Sequence, residues 1–210
     1  MILKYLLLRH TLAFFAILFA KNKVNTMFQI CYKNQLIITI SDTHGKHNEM
    51  TIPECDILIH CGDVCDMGNM NQLFDFFMWF SQTNAKHKLF VAGNHDFPFV
   101  FEPKKAMKLI PKNVIFMERR LIAIAGITFY GLNSTMNLYE MPKIAMLEID
   151  FLVTHVPPKS ILDENFGCPI LLEFTKKQKP KFHLFGHAHL YGIHKRITKT
   201  TTFVNCCFKR

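Results

Sequence analysis

Residues 36–45 constrain the fold of this chain more than any other stretch. The segment begins with the apolar, β-branched run Leu-Ile-Ile-Thr-Ile and ends abruptly in Ser-Asp-Thr-His-Gly. A run of this length and composition predicts a buried strand. Residues just beyond the carboxyl end of such a strand lie where open α/β sheets bind ligands. Asp42 and His44, two residues apart at that point, could therefore bind one metal ion.

Four further apolar runs end in side chains that can bind metals. The endings are Cys61-Gly62-Asp63, Gly93-Asn94-His95-Asp96, His155 and Gly186-His187-Ala188-His189. A single ending of this kind carries little weight, because His, Asp and Asn are ordinary turn residues. Five such endings in one chain, three of them with a glycine that directly precedes the polar residue and permits close backbone approach, predict a shared site.

The five endings resemble the motifs of the calcineurin-like metallophosphoesterase superfamily. Those motifs read Asp-x-His, Gly-Asp, Gly-Asn-His-Asp/Glu, a lone His and Gly-His-x-His, and all five are present in order from Asp42 to His189. The flanking Thr-His-Val-Pro-Pro and Phe-Gly-His-Ala-His are similar to the class III cyclic-nucleotide phosphodiesterase-like branch, which includes the metallophosphoesterase-domain-containing (MPPED) proteins. The resemblance implies an α/β fold, a four-layer αββα sandwich of two mixed β-sheets. Strand–helix alternation in the first half independently supports the α/β class.

The resemblance also implies two metal ions and the side chains that hold them. One ion would take Asp42, His44, Asp63 and His189, and the other would take Asp63, Asn94, His155 and His187. A bridging carboxylate suits two cations about 3.5 to 4 Å apart. Imidazole and oxygen ligands without thiolate suit manganese, iron, zinc or cobalt, and the sequence does not choose among these metals.

This ligand set predicts a dinuclear metal-dependent phosphoesterase. A hydroxide shared by the two ions would attack phosphorus, since coordination brings the pKa of water towards neutrality. In the family, a histidine placed like His95 acts near the leaving group, and Asp96 is then expected to orient its ring.

The branch resemblance favours a phosphodiesterase that hydrolyses a cyclic nucleotide or a related diester. A phosphomonoesterase or a nuclease with the same ligands stays open, because the fold does not fix the substrate. A weakly active or inactive metal- or nucleotide-binding module also stays open. The brief segment 132–150 and the end of the chain soon after Asn205 favour this module, whereas the presence of both His187 and His189 argues against it.

Length and composition predict one domain with a sizeable core, since the chain has 210 residues and is 50% hydrophobic. We expect residues 1–34 to form an N-terminal extension and residues 35–210 to form the metallophosphoesterase domain. The apolar run 11–20 is too short to cross a bilayer. A secretory signal, an organellar presequence and an extra helix remain alternatives for the extension, and Met27 is an alternative start.

Charge and cysteine content indicate partners and compartment. The net charge of +9 favours anionic partners, here a small phosphate ester such as a nucleotide. No basic motif with interleaved aromatic residues is present, so nucleic acid is considered only as a substrate. Seven cysteines without a Cys-x-x-Cys pair favour reduced thiols and a cytoplasmic location. Cys61 and Cys65 flank Asp63 but are not expected to be ligands. The sequence makes no prediction of oligomeric state.

The apolar pattern also places several elements. It predicts a helix over residues 69–84, capped by Asn69 or Asn71, and a short helix from Pro103 to Leu109. Three short strands at 114–117, 121–125 and 127–130 suggest a second sheet built from meanders. His60 and His183 lie within predicted strands, where we expect them to pack in the core.

Overall fold

The computed structural model describes residues 27–132, 142, 145 and 148–208, which contain two mixed β-sheets. The first sheet has the order β1-β2-β3-β4-β5, formed by Phe28–Tyr32, Gln35–Ile40, Cys55–His60, Ala85–Phe90 and Val114–Phe116. Strands β2 to β5 are parallel, and β1 is antiparallel to β2. The carboxyl ends of β2, β3 and β4 therefore meet at one edge of this sheet.

The second sheet has the order β10-β11-β9-β8-β7-β6. Its strands in chain order are β6 Arg120–Ile124, β7 Ile127–Leu132, β8 Phe151–Thr154, β9 Phe182–Phe185, β10 Lys195–Ile197 and β11 Thr202–Asn205. The four central strands are parallel, and the two outer strands are antiparallel to their neighbours. Strands β8 and β9 thus end side by side, as β2 and β3 do.

The two sheets pack face to face with helices on both outer faces. The helices are α1 Met70–Gln82, α2 Pro98–Phe101, α3 Pro103–Leu109 and α4 Pro169–Gln178. Between the sheets lie fully buried aliphatic and aromatic side chains, among them Ile57, Leu89, Phe129, Phe151 and Val204. Phe76 and Phe80 of α1 cover the first sheet, and Phe174 of α4 covers the second. The predicted four-layer αββα sandwich is confirmed.

Several local predictions can be compared with these elements. Helix α1 lies within the predicted 69–84, and Oδ1 of Asn69 accepts a 2.9 Å hydrogen bond from the backbone N–H of Gln72. Helix α3 has the predicted bounds. The second sheet is not built from meanders, however. Strand β5 pairs with β4 in the first sheet, so of these three predicted strands β6 and β7 alone pair with each other in the second. Close spacing along the sequence does not show which sheet a strand belongs to, because a strand can pair with another that is distant in sequence.

Strand β1 shows that part of the segment 1–34 lies in the first sheet. Its five residues pair with β2 across a two-residue turn. The turn residues Lys33 and Asn34 have φ values of 46° and 60°, as a tight hairpin requires. The alternatives for residues 1–26, and most of the brief segment 132–150, lie outside the described residues. Within the described residues, no helix has the length and apolarity needed to cross a membrane.

Candidate metal centre

All seven side chains predicted as metal ligands lie at the edge where the parallel strands of both sheets end. Asp42 and His44 follow β2, Asp63 follows β3, Asn94 follows β4, His155 follows β8, and His187 and His189 follow β9. The backbone N–H of His187 donates to both carboxylate oxygens of Asp42, at 3.2 and 3.0 Å, across 145 residues of sequence. Asp42 follows a strand of the first sheet and His187 a strand of the second, so the packing of the two sheets brings distant motifs into direct contact.

One group of side chains is formed by Asp42, His44, Asp63 and His189. The Nε2 atom of His44 lies 3.9 Å from Asp42 Oδ1 and 3.9 Å from Asp63 Oδ2. The Nε2 atom of His189 lies 3.5 Å from the same Oδ1, and its ring stacks on that of His44 with centroids 5.5 Å apart. Donor atoms from both sheets thus point at a common region.

A second group is formed by Asp63, Asn94, His155 and His187. The Nε2 atom of His155 lies 3.2 Å from Asp63 Oδ2 and 3.0 Å from Asn94 Oδ1. The Nδ1 atom of His187 lies 2.8 Å from the same amide oxygen. Asp63 belongs to both groups, and three donor atoms in each of the sets Asp42-His44-Asp63 and Asp63-His155-His187 lie within 4.8 Å of one another.

Backbone carbonyls fix the orientation of two of the histidine rings. His155 Nδ1 lies 2.9 Å from the carbonyl of Cys61, and His44 Nδ1 lies 3.0 Å from the carbonyl of Cys65. A carbonyl only accepts, so each Nδ1 carries a proton and each ring turns its Nε2 towards the carboxylates. Cys61 and Cys65 thus contribute through their backbones, in agreement with the expectation that their thiols are not ligands.

The charges in these groups suit a cation. Among the described residues, the ion-pair partners found for Asp42 and Asp63 are all histidines. Burial acts to raise the pKa of Asp63, but His155 beside it holds that pKa well below its usual range. Burial would lower the pKa of His155, yet Asp63 and Asp42 raise it to about 10. Burial lowers the pKa values of His44 and His187. Buried carboxylates beside imidazoles form a donor set that fits divalent transition metals, and a bound cation would displace the extra proton of His155.

The backbone at the site is held in unusual conformations. Asp42, His44, Asp63 and His187 have φ values between 45° and 68°, in the left-handed region that costs about 1 to 3 kcal/mol for a residue other than glycine. Neighbouring loops fix these conformations, since Asp42 N–H donates to the carbonyl of Gly62 and His44 N–H to that of Asp63. A Cβ at Gly93 would collide with Oδ1 and the backbone nitrogen of Asp63, so only glycine permits this close approach.

His95 lies at the rim of the metal centre. Its ring is perpendicular to that of His44 with centroids 4.9 Å apart, and its backbone N–H donates to Asp63 Oδ1 at 2.8 Å. The carbonyl of Asp66 lies 2.7 Å from its Nδ1. That carbonyl therefore holds the ring, and Nε2 is left as the ring atom that can reach a substrate.

Asp96 does not orient His95, which corrects the expectation from the sequence. Its buried carboxylate instead accepts four backbone N–H groups, from Asp63 and Gly93 at Oδ2 and from Val64 and Cys65 at Oδ1, at 2.8 to 3.0 Å. Burial and the Asp63 charge raise its pKa to about 7, and the N–H groups of Gly93 and Cys65 act in the opposite direction. Asp96 therefore ties the loop after β3 to the loop after β4.

Two histidines outside the ligand set contact residues that adjoin the ligands. His60 is buried among Phe76, Phe80 and Phe90. Its Nδ1 accepts from Gly62 N–H at 3.1 Å, so Nε2 donates to Thr43 Oγ1 at 3.2 Å. His183 lies 3.0 Å from Thr154 Oγ1. Burial lowers the pKa of both residues, and both are core residues, as predicted.

One neighbour of the centre, Cys207, was not predicted from the sequence. Its Sγ lies 3.0 Å from Asp42 Oδ2, and Sγ, a donor atom of Asp42 and one of His189 lie within 4.8 Å of one another. The contact arises from a parallel bridge between Ser41 and Cys207, two residues far apart in sequence. A motif search centred on strand ends could not find it, because Cys207 belongs to none of the five motifs.

Comparison with known proteins places these observations in a family. The family model for calcineurin-like phosphoesterases matches residues 36–191. A UPF0046 protein of Caenorhabditis elegans is 30% identical over an alignment of 199 residues, and the match covers 80% of this chain and 68% of that protein. The human metallophosphoesterase domain-containing protein 1 is 28% identical over 211 residues, and the match covers 80% of this chain but only 64%, just under two thirds, of the human protein.

Solved structures share the fold at low sequence identity. A phosphopantetheinyl hydrolase from Mycobacterium tuberculosis aligns with a TM-score of 0.61 at 12% identity, over 82% of this chain and 89% of that one. The protein TT1561 of Thermus thermophilus aligns with a TM-score of 0.55 at 14% identity, over 80% and 87% of the two chains. The matched motifs, the relatives and the shared fold lead to one conclusion: the chain belongs to the calcineurin-like phosphoesterase family, in the branch of the metallophosphoesterase domain-containing proteins.

Proposed function

We propose that this chain is a phosphodiesterase that uses two divalent metal ions and hydrolyses a nucleotide-like or related diester. Membership of the family makes it a hydrolase of phosphate esters. The observation that carries the two-metal proposal is the position of Asp63, whose carboxylate belongs to two adjacent donor groups. A carboxylate shared in this way suits a pair of cations, which when bound would polarise the phosphoryl group and supply a nucleophile from water.

The protein residues would then orient the substrate and move protons. Asp42, His44 and His189 would hold one ion with Asp63, and Asn94, His155 and His187 would hold the other. The Nδ1–H group of His95 donates a hydrogen bond to the carbonyl of Asp66. Its Nε2 would donate a proton to the leaving oxygen when the ring is protonated. This role for His95 does not require Asp96, whose carboxylate is engaged by backbone N–H groups.

Exposed aromatic rings beside the metal centre support an ester that carries ring systems. Phe97, 40% exposed, stacks on His95 with centroids 6.2 Å apart, and Phe101, 75% exposed, packs against Phe97. Phe166, 62% exposed, stands perpendicular to His187 at 6.0 Å. Such rings can stack on a nucleobase or an aryl group. A phosphate monoester carries one organic group, whereas a diester carries two and can place one against the rings near His95 and the other against Phe166.

The experiment that tests the proposal compares ester classes on metal-reconstituted protein. Metal-free protein is loaded with Mn²⁺ and given a bis-aryl phosphodiester, the corresponding aryl monoester, a cyclic nucleotide and an oligonucleotide. We expect metal-dependent cleavage of the diesters to exceed that of the monoester. We also expect the Asn94→Ala variant to lose it, because Asn94 Oδ1 contacts both His155 and His187.

Other outcomes of this comparison would replace the proposal. Preferential cleavage of the monoester would make the chain a phosphomonoesterase, and preferential cleavage of the oligonucleotide would make it a nuclease. Two bound metal ions without cleavage of any ester would favour a binding module. Full activity of Asn94→Ala would remove the proposed second metal group.

We expect Phe97→Ala and Phe166→Ala each to lower kcat/KM for a bis-aryl diester by about tenfold, since stacking on an aromatic side chain contributes roughly 1 to 3 kcal/mol. With a methyl aryl diester, which has the same leaving group but one ring fewer, the loss should be smaller for Phe166→Ala and unchanged for Phe97→Ala, since Phe97 stacks on His95 at the leaving-group side. Phe74→Ala is the matched control, because Phe74 is 52% exposed but lies on α1. Native kcat/KM in Phe97→Ala, or equal losses for both diesters in Phe166→Ala, would contradict a stacking role.

A further inference from the structure

We propose that Cys207 is a positioning residue of the metal centre: its buried thiol holds Oδ2 of Asp42, so that Oδ1 faces the histidines of the first metal group. The proposal rests on the metal centre inferred above, and it assigns a role to a residue that lies outside the five motifs. It concerns the affinity and geometry of that centre, and it can be tested without a substrate.

The two carboxylate oxygens of Asp42 have different surroundings. Oδ1 lies 3.5 Å from His189 Nε2 and 3.9 Å from His44 Nε2. Oδ2 lies 3.0 Å from Cys207 Sγ, and it would collide with a Cβ placed at Gly186. The N–H of His187 donates to both oxygens, so it does not by itself select one orientation. The thiol is the contact that distinguishes the two oxygens.

The backbone around Cys207 fixes the thiol behind Asp42. After β11, Cys206 N–H donates to the carbonyl of Phe185 at 2.7 Å and Phe208 N–H donates to the carbonyl of Ser41 at 2.9 Å. The segment therefore crosses from the second sheet to the first. Asn205 Oδ1 accepts from Cys207 N–H at 3.0 Å, and the side chain of Cys207 is completely buried. Because the backbone is hydrogen-bonded on both sides of Cys207, its thiol has few other positions available.

The direction of the contact favours hydrogen bonding over ligation. A thiol is a donor and a carboxylate oxygen is an acceptor. The sulfur approaches Oδ2, whereas the ring nitrogens of His44 and His189 approach Oδ1. Partners that orient ligating carboxylates affect metal binding strongly, and their mutation typically costs about 10- to 100-fold in affinity.

The test measures Co²⁺ binding by the whole chain and by three variants. Cys207→Ser retains a hydrogen-bond donor, and Cys207→Ala removes it. Cys206→Ala is the matched control, since Cys206 is an equally buried neighbour whose Sγ contacts Thr39 Oγ1 and the carbonyl of Val204. Competition with a chelator gives the affinity, the visible absorption of bound Co²⁺ reports its geometry, and thermal unfolding of metal-free protein checks the fold.

We expect Cys207→Ala to weaken one of two Co²⁺ sites by about 10- to 100-fold and to alter its visible spectrum. Cys207→Ser should stay within a few-fold of the native protein, and Cys206→Ala should match it. Native affinity in Cys207→Ala, or equal losses in the serine and alanine variants, would overturn the proposal. A sulfur-to-cobalt charge-transfer band that Cys207→Ser abolishes would overturn it too, because Cys207 would then be a ligand.

These outcomes are separate from the outcome for the proposed function. Native protein that binds two Co²⁺ ions but cleaves no phosphodiester would remove the phosphodiesterase proposal and leave the role of Cys207 to be decided by the affinities. Native protein that binds no Co²⁺ would remove the metal centre, and the proposal for Cys207 with it.

Discussion

The Asp63→Asn variant is expected to lose metal-dependent phosphodiester hydrolysis by about a thousandfold or more. Metal ions stabilise the charge of a phosphoryl transition state by several kcal/mol, and each 1.36 kcal/mol corresponds to a tenfold change in rate. Asp63 is the carboxylate common to both donor groups. Asparagine at this position leaves the second group without a carboxylate and the first with that of Asp42 alone, so occupancy of both metal positions should fall.

The substitution is designed to preserve the surrounding hydrogen bonds. The amide oxygen of asparagine can still accept the N–H of His95, which donates to Asp63 Oδ1 in the native protein. The measurements are kcat/KM with Mn²⁺, the number of metal ions bound and thermal unfolding of the metal-free protein. Asp66→Asn is the control, because the Asp66 side chain is exposed and lies 3.9 Å from His44 Nδ1. Native turnover by Asp63→Asn would rule out the two-metal mechanism.

The site could be predicted from the sequence because a parallel sheet aligns strand ends. Each apolar run that ends in His, Asp or Asn places that residue at the same edge, provided that neighbouring strands are parallel. Asp42 and Asp63 lie side by side after β2 and β3 for this reason, whereas the contact between Asp42 and His187 also requires the two sheets to pack face to face. Helix α1 could also be predicted from the sequence, because an apolar face follows a capping residue, Asn69.

Other features depend on partners that a local pattern does not identify. Strand β5 joins the first sheet through its pairing with β4. Strand β1 lies in the sheet although the motif resemblance begins only near Leu36, and the alternation of Phe28, Ile30 and Tyr32 was the available signal. The position of Asp96 in the Asn-His-Asp motif did not show that its side chain turns back to the loop after β3.

We expect the Asp96→Asn variant to be destabilised by about 2 to 6 kcal/mol. In the native protein, Oδ1 and Oδ2 of Asp96 each accept two backbone N–H groups. An asparagine of the same shape offers one acceptor oxygen, and its NH₂ group would face the other two donors. Two buried N–H groups would then lack an acceptor, at a cost of about 1 to 3 kcal/mol each.

The same loops carry Asp63, Gly93 and Asn94, so metal affinity should fall together with stability in this variant. Asp163→Asn is the matched control, because Oδ2 of Asp163 alone accepts both backbone N–H groups, from Ser160 and Gly167, and one amide oxygen can replace it. Chemical denaturation gives the free energies of unfolding, and chelator competition gives the metal affinities. Native stability in Asp96→Asn would mean that the N–H groups of Asp63, Val64, Cys65 and Gly93 find other acceptors. A loss in Asp163→Asn as large as that in Asp96→Asn would show that charge removal, rather than the count of acceptor oxygens, sets the cost.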